Sequence, residues 1–287
     1  MTKGADQVIT RFAPSPTGKL HLGHAYSALF AYNQALRKGG RFILRIEDID
    51  AGRCRPEFEQ GIYEDLAWLG LKWEEPVHRQ SEHMEEYRRA LDKLSEKGLI
   101  YPCFCTRRDI QEEIARADSA PHGPEGVLYP GTCRNLSSAE REARIASGLS
   151  YALRLDVTKA LSMLENPLFW TDLAQGTRVA TPQILGDVVL GRKDVMASYH
   201  LCVVLDDHAQ GITCVTRGED LFYATHLHRL LQHLLELDVP VWRHHTLLLD
   251  EEGKRFAKRN QGVTLEFLRE KVGKKPADII SMTGLAA

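Results

Sequence analysis

His21 and His24 lie three residues apart in the proline- and glycine-rich stretch RFAPSPTGKLHLGH, residues 11–24. Apolar residues at helical spacing follow directly, so both histidines would lie close to the start of a helix. Unpaired backbone N–H groups and the positive end of the helix dipole attract anions to such a turn. A plain strand-to-helix turn and a metal site are the alternatives, although no acidic residue lies at the offset of a zinc-binding helix.

Three cysteines form a second group that could do chemistry. Cys103 and Cys105 are one residue apart in a predicted strand, so both side chains would point to the same face. Cys133 follows a loop rich in proline and glycine. Three thiolates and one further nitrogen or oxygen ligand would complete a tetrahedral zinc site. Three buried, reduced thiols are the alternative.

The elements that position these residues alternate between strand and helix along the first part of the chain. The runs VITRFAP and RFILRIEDID predict strands, whereas helical periodicities ended by glycine predict helices over 22–38, 56–70 and 81–98. Strands and helices in alternation predict a parallel sheet covered by helices, which is an α/β fold.

The middle of the chain differs in character, because YALRLDV and DVVLGR predict antiparallel strands. We therefore expect an inserted α+β subdomain at 101–192, between two halves of the α/β domain at 1–100 and 193–250. In the second half YHLCVVLDD and ITCVTRGED predict strands, and LFYATHLHRLLQHLLEL predicts a helix. Residues 251–287 predict a basic loop followed by one or two helices.

Composition excludes several classes of protein. A net charge of −2 and a pI of about 6.6 argue against binding nucleic acid through bulk charge. No apolar run is long enough for a transmembrane helix, and the N-terminus lacks a signal peptide. We therefore expect a cytoplasmic protein without a membrane partner. Six cysteines in 287 residues do not indicate a disulfide scaffold.

The HLGH stretch is similar to the HIGH signature of class I aminoacyl-tRNA synthetases. Together with RFAPSPTGK before it and LRIEDID after it, this stretch resembles the glutamyl-tRNA synthetase family. The APSPTG motif is similar to that of the glutamate-specific members rather than the glutaminyl branch. YHLCVVLDD and ITCVTRGEDL resemble the second half of the same family. The resemblance implies a Rossmann-like catalytic domain in which His21, Gly23 and His24 bind ATP together with Mg²⁺.

The resemblance also implies a glutamate pocket. It assigns Arg11 and Arg217 to the substrate carboxylates, which suits the planar guanidinium fork, and Glu47 to the α-amino group. Tyr199 contacts the amino acid, and the residues that follow Arg11 complete the pocket: Phe12, Ala13, Pro14 and Ser15. The alternatives are an exposed edge-strand arginine, a solvated acidic turn for Glu47 and a core aromatic for Tyr199.

Two acidic residues and one basic loop complete the implied ATP site. Asp206 and Asp207 follow a predicted strand, where they could approach ATP or serve as turn residues. The segment RFAKR lies where the family has its KMSKS loop, and Lys258 matches the second lysine, which neutralises triphosphate charge. Arg255 replaces the first lysine of that motif, although an alternative register uses Lys254. A solvated basic loop is the alternative interpretation.

Short members of this family carry Cys-x-Cys and Tyr-x-x-x-Cys as a zinc site. The match here implies a structural Zn²⁺ held by Cys103, Cys105, Cys133 and Tyr129, with His122 as the rival fourth ligand. The site would be closed to substrate, because four protein ligands fill a tetrahedral zinc.

The chain ends at residue 287, so we expect no anticodon-binding domain. This pattern resembles the glutamyl-queuosine tRNA(Asp) synthetases, which activate L-glutamate with ATP and transfer it to queuosine in the anticodon loop of tRNA(Asp). We expect a monomer whose basic runs, Arg107–Arg108 and KRFAKR, contact the anticodon stem-loop. The alternatives are an enzyme that charges a tRNA 3′ end and a non-catalytic paralogue that binds glutamate or ATP.

Overall fold

The computed structural model describes residues 7–116, 122–124, 126–192, 197–248 and 263–285. The strands are β1 (Ile9–Phe12), β2 (Arg41–Ile46), β3 (His78–Arg79), β4 (Ile100–Cys103), β5 (His122–Gly123), β6 (Gly126–Val127), β7 (Ala152–Leu155), β8 (Phe169–Asp172), β9 (Gly176–Val179), β10 (Val189–Arg192), β11 (Cys214–Gly218) and β12 (Val241–His245). The helices are α1 (Leu22–Leu36), α2 (Pro56–Trp68), α3 (Met84–Glu96), α4 (Arg107–Arg116), α5 (Ser138–Ala146), α6 (Val157–Ser162), α7 (Tyr199–Ala209), α8 (Ala224–Leu235), α9 (Leu265–Glu270) and α10 (Pro276–Thr283).

The first half of the chain forms a parallel sheet in the order β1–β2–β3. Helix α1 covers it, and Ala25 and Leu29 share one core with Phe12 and Leu44. Gly39 lies just beyond α1 with φ +59°, a conformation that glycine adopts without strain, so the chain can turn back into β2. The predicted strand–helix–strand order is confirmed here.

A second sheet pairs β11, β12 and β8 in parallel and adds β9 in the antiparallel direction. It lies beside the first sheet, because the N–H of Thr213 donates to the carbonyl O of Ile9 at 3.1 Å. The carboxyl ends of β1, β2 and β11 therefore meet at one edge, where open α/β sheets bind their ligands. The α/β class predicted from sequence is confirmed.

The antiparallel pairing predicted for YALRLDV and DVVLGR is confirmed. β7 and β10 pair antiparallel, and β4 joins the other edge of β7 to give the order β10–β7–β4. Tyr101 anchors this sheet, since its hydroxyl donates to Oδ2 of the buried Asp187 at 2.6 Å. Cys103 ends β4, so the predicted metal ligands begin at the end of a rigid strand.

The segment YHLCVVLDD forms helix α7, so the strand predicted there is wrong. Its apolar run, Leu201 to Val204, is buried throughout because α7 packs against both α3 and α8. A short apolar run fits a buried helix as well as a buried strand, and periodicity alone cannot separate them. Asp206 and Asp207 consequently lie near the carboxyl end of a helix rather than in a turn after a strand.

Helices α9 and α10 confirm the prediction of one or two helices near the end of the sequence. Leu265 of α9 and Ile279 of α10 are fully buried in the core that α1 shares with the first sheet. These helices therefore brace the side of the molecule that carries the HLGH stretch. Among the helices that the structure describes, none has the length and apolarity needed to cross a membrane.

Candidate active site

A cavity of about 650 Å³ opens where strands β1, β2 and β11 end. Every residue predicted for glutamate lines it, as do three residues predicted for ATP. They are Arg11, Phe12, Ala13, Pro14, Ser15, Glu47, Tyr199 and Arg217, with His21, Gly23 and His24. Lys258, Lys254 and Arg255 lie outside the described residues, so their predicted contact with the triphosphate stays a prediction.

Arg11 is buried at the end of β1 with 5% of its surface exposed, which excludes the exposed edge-strand alternative. Its Nε donates to Oδ1 of Asp207 at 2.9 Å, and its Nη1 donates to the carbonyl O of Thr216 at 3.1 Å. Arg45 Nη1 donates to the same Asp207 oxygen at 2.8 Å. Asp207 therefore joins β1 and β2 to α7 and fixes the position of Arg11.

The charges behind the cavity do not balance. Arg45 lies within 4 Å of three carboxylates, those of Glu47 at 3.3 Å, Asp206 at 3.7 Å and Asp207 at 2.8 Å. With Arg11, this network sets two guanidinium groups against three carboxylates. Of the three, only Glu47 lines the cavity. A cation in the cavity, such as the ammonium of an amino acid, would neutralise the excess negative charge.

Glu47 reaches the cavity because backbone contacts set its place after β2. Its N–H donates to the carbonyl O of Pro14 at 3.0 Å, which joins the two loops that follow β1 and β2. Burial raises the pKa of the Glu47 carboxyl, while Arg45 and Arg11 oppose that rise. The solvated-turn alternative is wrong, because the Glu47 side chain is only 10% exposed. A bound cation would stabilise its ionised form.

Arg217 carries a positive charge without an anionic partner among the described residues. It is buried at 6% exposure, and its contacts are to neutral groups. Nε donates to Nε2 of His244 at 3.2 Å, and Nη2 donates to Oγ1 of Thr225 at 2.5 Å. Nη1 lies 3.0 Å from Nδ1 of His228. An anion such as a substrate carboxylate would compensate this buried charge.

Burial and the charge of Arg217 keep the two histidines beside it in the neutral form. Burial lowers the pKa of His244 to about 4 and holds that of His228 well below the usual value. Nδ1 of His244 lies 2.7 Å from Oδ2 of Asp172, so it keeps its proton there and offers the lone pair of Nε2 to Arg217. His228 bonds to Nδ1 of His200 in the same manner, at 3.1 Å.

Tyr199 lies at the first turn of α7 and is only partly buried, so it is not a core aromatic. Its ring packs near those of His200 and His228, with centroids 5.4 and 5.8 Å away. Burial raises the pKa of its hydroxyl. Tyr199 also lines a neighbouring cavity of about 450 Å³, as do Ser15 and Glu47. These three residues therefore form a wall common to both cavities.

His21 and His24 lie at the start of α1, as predicted, with ring centroids 3.8 Å apart. Nδ1 of His21 accepts from the N–H of Gly23 at 3.1 Å, and Nδ1 of His24 accepts from the N–H of His21 at 3.2 Å. The proton of each neutral ring is therefore on Nε2. In the described part of the chain, no third metal-binding side chain joins them, so the metal alternative gains no support.

Asp206 and Asp207 do not reach the cavity, so the suggestion that they approach ATP is wrong. Both are buried on α7, and Asp206 accepts hydrogen bonds from Tyr87 Oη at 2.7 Å and Gln80 Nε2 at 2.7 Å. Turn chemistry does not explain them either, because they lie within a helix. Their carboxylates instead hold Arg45 and Arg11 in position.

Sequence analysis missed several residues of this site. Ser27 and His245 line the cavity beside HLGH, with Ser27 Oγ 3.1 Å from Nε2 of His245. Arg45 could have been identified from its position inside the apolar strand RFILRI, because an arginine on a buried strand requires charged partners. Asp172 and His244 carried no such local signal, since their pairing depends on how β8 meets β12.

Cys103, Cys105 and Cys133 gather beside Tyr129. Their sulfur atoms lie within 4.8 Å of one another, and Sγ of Cys105 is 3.5 Å from Sγ of Cys133. Oη of Tyr129 lies 3.3 Å from Sγ of Cys103 and 3.6 Å from Sγ of Cys105. The cluster could hold a metal ion. His122 belongs to β5, but its side chain is outside what the structure describes.

Comparison with known proteins places this site in a family. The model of the catalytic domain of class I tRNA synthetases (E and Q) matches residues 7–285. A protein of Rhodobacter capsulatus named glutamyl-Q tRNA(Asp) synthetase is 47% identical over 283 residues, which cover 97% of this chain and all of the relative. A relative of the same name from Symbiobacterium thermophilum is 43% identical, over 94% of this chain and 83% of its own length.

A solved structure has the same fold. The crystal structure of a glutamate tRNA ligase from Elizabethkingia meningosepticum in complex with its amino acid superimposes with a TM-score of 0.73 at 33% identity. The match covers 88% of this chain and 52% of the ligase. The resemblance inferred from HLGH and the segments around it is thus confirmed. The chain belongs to the class I tRNA synthetases of the glutamate and glutamine group, and residues 7–285 correspond to their catalytic domain.

Proposed function

We propose that the protein activates L-glutamate with ATP and transfers it to queuosine in the anticodon loop of tRNA(Asp). The observation that carries the proposal is the arrangement of charges in one cavity. Arg217 has no carboxylate within 4.0 Å among the described residues, and Glu47 shares the charge of Arg45 with two aspartates. Glutamate supplies the matching groups, a carboxylate for Arg217 and Arg11 and an ammonium for Glu47. The relatives named glutamyl-Q tRNA(Asp) synthetase match nearly the whole chain and support this acceptor.

Activation needs no nucleophile from the protein. The α-carboxylate of glutamate attacks the α-phosphate of ATP, an O–P bond forms, and pyrophosphate leaves with the pair of electrons from the broken P–O bond. His21 and His24 present Nε2–H donors at the N-terminus of α1, where developing phosphate charge is stabilised. Mg²⁺ bound with ATP supplies additional positive charge. Lys258 is proposed to act on the leaving pyrophosphate.

Transfer follows in the same cavity. A hydroxyl of the cyclopentene ring of queuosine attacks the activated carbonyl, an ester forms, and AMP leaves with the electron pair of the broken C–O bond. The hydroxyl proton passes to the departing phosphate or to water. Ser15, Glu47 and Tyr199 line both this cavity and the neighbouring cavity of about 450 Å³. We propose that the acceptor nucleoside reaches the carbonyl of the glutamyl-adenylate from that neighbouring cavity.

The proposal is tested by locating the product on the RNA. We expect glutamate-dependent exchange of pyrophosphate into ATP without tRNA, and label from glutamate on tRNA(Asp) that carries queuosine. After nuclease digestion, the label should be on the anticodon fragment, and tRNA(Asp) without queuosine should take up none. Label on the 3′-terminal fragment would establish the charging alternative. Absence of exchange, together with no label on any RNA, would favour a binding paralogue.

We propose that Cys103, Cys105, Cys133 and Tyr129 hold a structural Zn²⁺. In a tetrahedral site the Zn–S and Zn–O distances of about 2.3 and 2.0 Å place neighbouring ligand atoms about 3.5–3.8 Å apart. The separations of 3.3, 3.5 and 3.6 Å among these atoms are close to that range. Four protein ligands leave no position for substrate, so the ion would join β4 to the loop that carries Cys133.

Removal of one ligand tests the metal proposal. We expect Cys133→Ser to lose the stoichiometric zinc found by elemental analysis and to lower the free energy of unfolding by several kcal/mol, because zinc binding is coupled to local folding. Cys54→Ser is the matched control, since Cys54 is a half-buried free cysteine outside the cluster. Tyr129→Phe, which removes the oxygen ligand and keeps the three thiolates, should bind the ion more weakly than the wild type. Full zinc content in Cys133→Ser would contradict the proposal.

We also propose the domain division 1–100, 101–192, 193–250 and 251–287, and a monomeric state. The antiparallel β10–β7–β4 sheet supports a distinct inserted unit, because the strands on either side of it pair in parallel. Strand β8 returns from this unit to the second sheet, where Asp172 lies opposite Trp242. The inserted unit therefore contributes directly to the wall behind Arg217.

A further inference from the structure

A third cavity, of about 470 Å³, lies between the cysteine cluster and the active site. We call it the arginine trough and define it by Phe104, Arg107, Tyr151, Arg154 and Arg192. Arg192 and Val189 line both the trough and the 450 Å³ cavity, which in turn shares Ser15, Glu47 and Tyr199 with the active site. The three cavities are therefore neighbours, in a row that runs from the glutamate pocket to the inserted unit.

The trough is positively charged. Three arginines line it, and no aspartate or glutamate is among the lining residues. Arg107 is exposed and has no carboxylate within 4.0 Å among the described residues, whereas its neighbour Arg108 pairs with Glu112 at 2.7 Å. Arg108 does not line the trough. Of the two arginines that the sequence suggested for RNA contact, the geometry thus favours Arg107.

Aromatic rings supply the other half of a nucleotide site. Phe104 and Tyr151 lie with ring centroids 5.8 Å apart, and both are only partly buried. Phe104 is the residue between Cys103 and Cys105, so a metal ion at the cluster would hold its backbone on both sides. Arginines along a groove that also presents aromatic rings are the usual means of binding unpaired nucleotides, through phosphate contacts and base stacking.

We propose that the arginine trough binds an unpaired nucleotide adjacent to the acceptor nucleoside of the RNA substrate. Its base stacks on Tyr151, beside Phe104, and its phosphate lies against Arg107 and Arg192. This inference rests on the proposed function, because an RNA acceptor is what brings such a nucleotide to the site. A nucleoside in the adjoining 450 Å³ cavity would place the neighbouring nucleotide of the strand at the trough.

Direct RNA binding provides the test, with Arg107→Glu compared against Arg108→Glu. Both substitutions change the same charge on adjacent residues of α4, but only Arg107 lines the trough. With a fluorescent anticodon stem-loop of tRNA(Asp) as the probe, we expect Arg107→Glu to weaken binding about tenfold or more and Arg108→Glu to change it less than about twofold. Equal weakening by both would overturn the proposal.

Stacking and charge have separate signatures. Tyr151→Ala should weaken stem-loop binding by about fivefold or more, and Tyr151→Phe, which keeps the ring, should restore it. Arg107→Ala should reduce the slope of log K against log [salt] by about 0.7, the value for one phosphate contact on a single strand. Wild-type affinity in Tyr151→Ala, or an unchanged slope in Arg107→Ala, would refute the trough.

The outcome can be told apart from failure of the proposed function. Pyrophosphate exchange without RNA reports glutamate activation alone, and stem-loop binding reports the trough alone. If the protein shows no exchange but its stem-loop binding still depends on Arg107 and Tyr151, the trough proposal stands and the proposed activity fails. The proposed occupant would be overturned by an active enzyme that binds an acceptor-stem RNA more tightly than the anticodon stem-loop, if that binding depends on Arg107 and Tyr151.

Discussion

Arg217→Met is expected to lower glutamate-dependent pyrophosphate exchange by about 10²- to 10³-fold, mainly through the KM for glutamate. Loss of a desolvated charge partner for a carboxylate costs about 3–4 kcal/mol, which corresponds to such a factor. The KM for ATP should change little, because Arg217 belongs to the wall of the cavity that we assign to the amino acid. Initial rates measured over a matrix of glutamate and ATP concentrations separate the two constants.

Arg217→Lys and Arg243→Met complete the experiment. Lysine retains the charge but not the planar fork that His244, His228 and Thr225 hold in place, so an intermediate loss is expected. Arg243 lies on the adjacent strand β12 and donates to Gln34 away from the cavity, so its replacement should leave the KM for glutamate unchanged. An equal rise of both KM values in Arg217→Met would refute the assignment.

Asp207→Asn is expected to lower the free energy of unfolding at pH 7 by about 3–5 kcal/mol, the usual cost of removing one partner from a buried ion pair. Asp207 is the common acceptor of Arg11 and Arg45, and all three side chains are at most 7% exposed. The amide oxygen can keep the hydrogen bonds that Oδ1 accepts from Arg11 and Arg45, but the amide is neutral and its NH2 group cannot accept from Nη2 of Arg11. Urea denaturation followed by circular dichroism gives the difference directly.

The same variant should change the acid dependence of stability. Burial alone would raise the pKa of Asp207, but Arg11 and Arg45 hold it below the usual value. A carboxyl with a lowered pKa stabilises the folded state above its unfolded-state pKa of about 3.9, and this contribution is lost as the pH falls through the folded-state value. Between about pH 5 and the acid transition, the free energy of unfolding should therefore fall less in the variant than in the wild type.

Glu85→Gln is the matched control for Asp207→Asn. Glu85 pairs with Arg88 on the exposed face of α3, where solvent screens both charges. Its unfolding curve should coincide with that of the wild type at pH 7. A similar loss of stability in Glu85→Gln and Asp207→Asn would show that the buried network has no special role.

Local patterns predicted most of the fold. Phe12 and Leu44 on short strands, and Ala25 and Leu29 at helical spacing, carry signals that one side of the chain must be buried. Those signals failed at Leu201 to Val204, where four apolar residues in a row fit either element. The helix is favoured over the strand because α7 packs against α3 and α8, and the residues around α7 in the sequence do not show that packing.

The residues that line the cavity were predictable from the sequence, but the residues that hold them in place were not. Arg11, Glu47, Tyr199 and Arg217 were found because their neighbours resemble a known family, and the structure gathers all four around one cavity. Asp207 was placed in the wrong role. Its function depends on the meeting of α7 with β1 and β2, which follows from tertiary packing rather than from any residue type or spacing.

The hydrogen-bond chains through His244 and His228 also restrict how substrate preference can change over evolutionary time. A pocket for a neutral side chain needs Arg217 replaced, yet an apolar replacement removes the donor that both imidazoles share. Nε2 of His244 would keep only the Thr225 hydroxyl, at 3.3 Å. Replacing His244 first would in turn take the imidazole away from Asp172, which would keep only its backbone donors. Single substitutions would therefore lose stability before they gain a new specificity, and the preference for an acidic substrate that we propose would be protected against gradual drift.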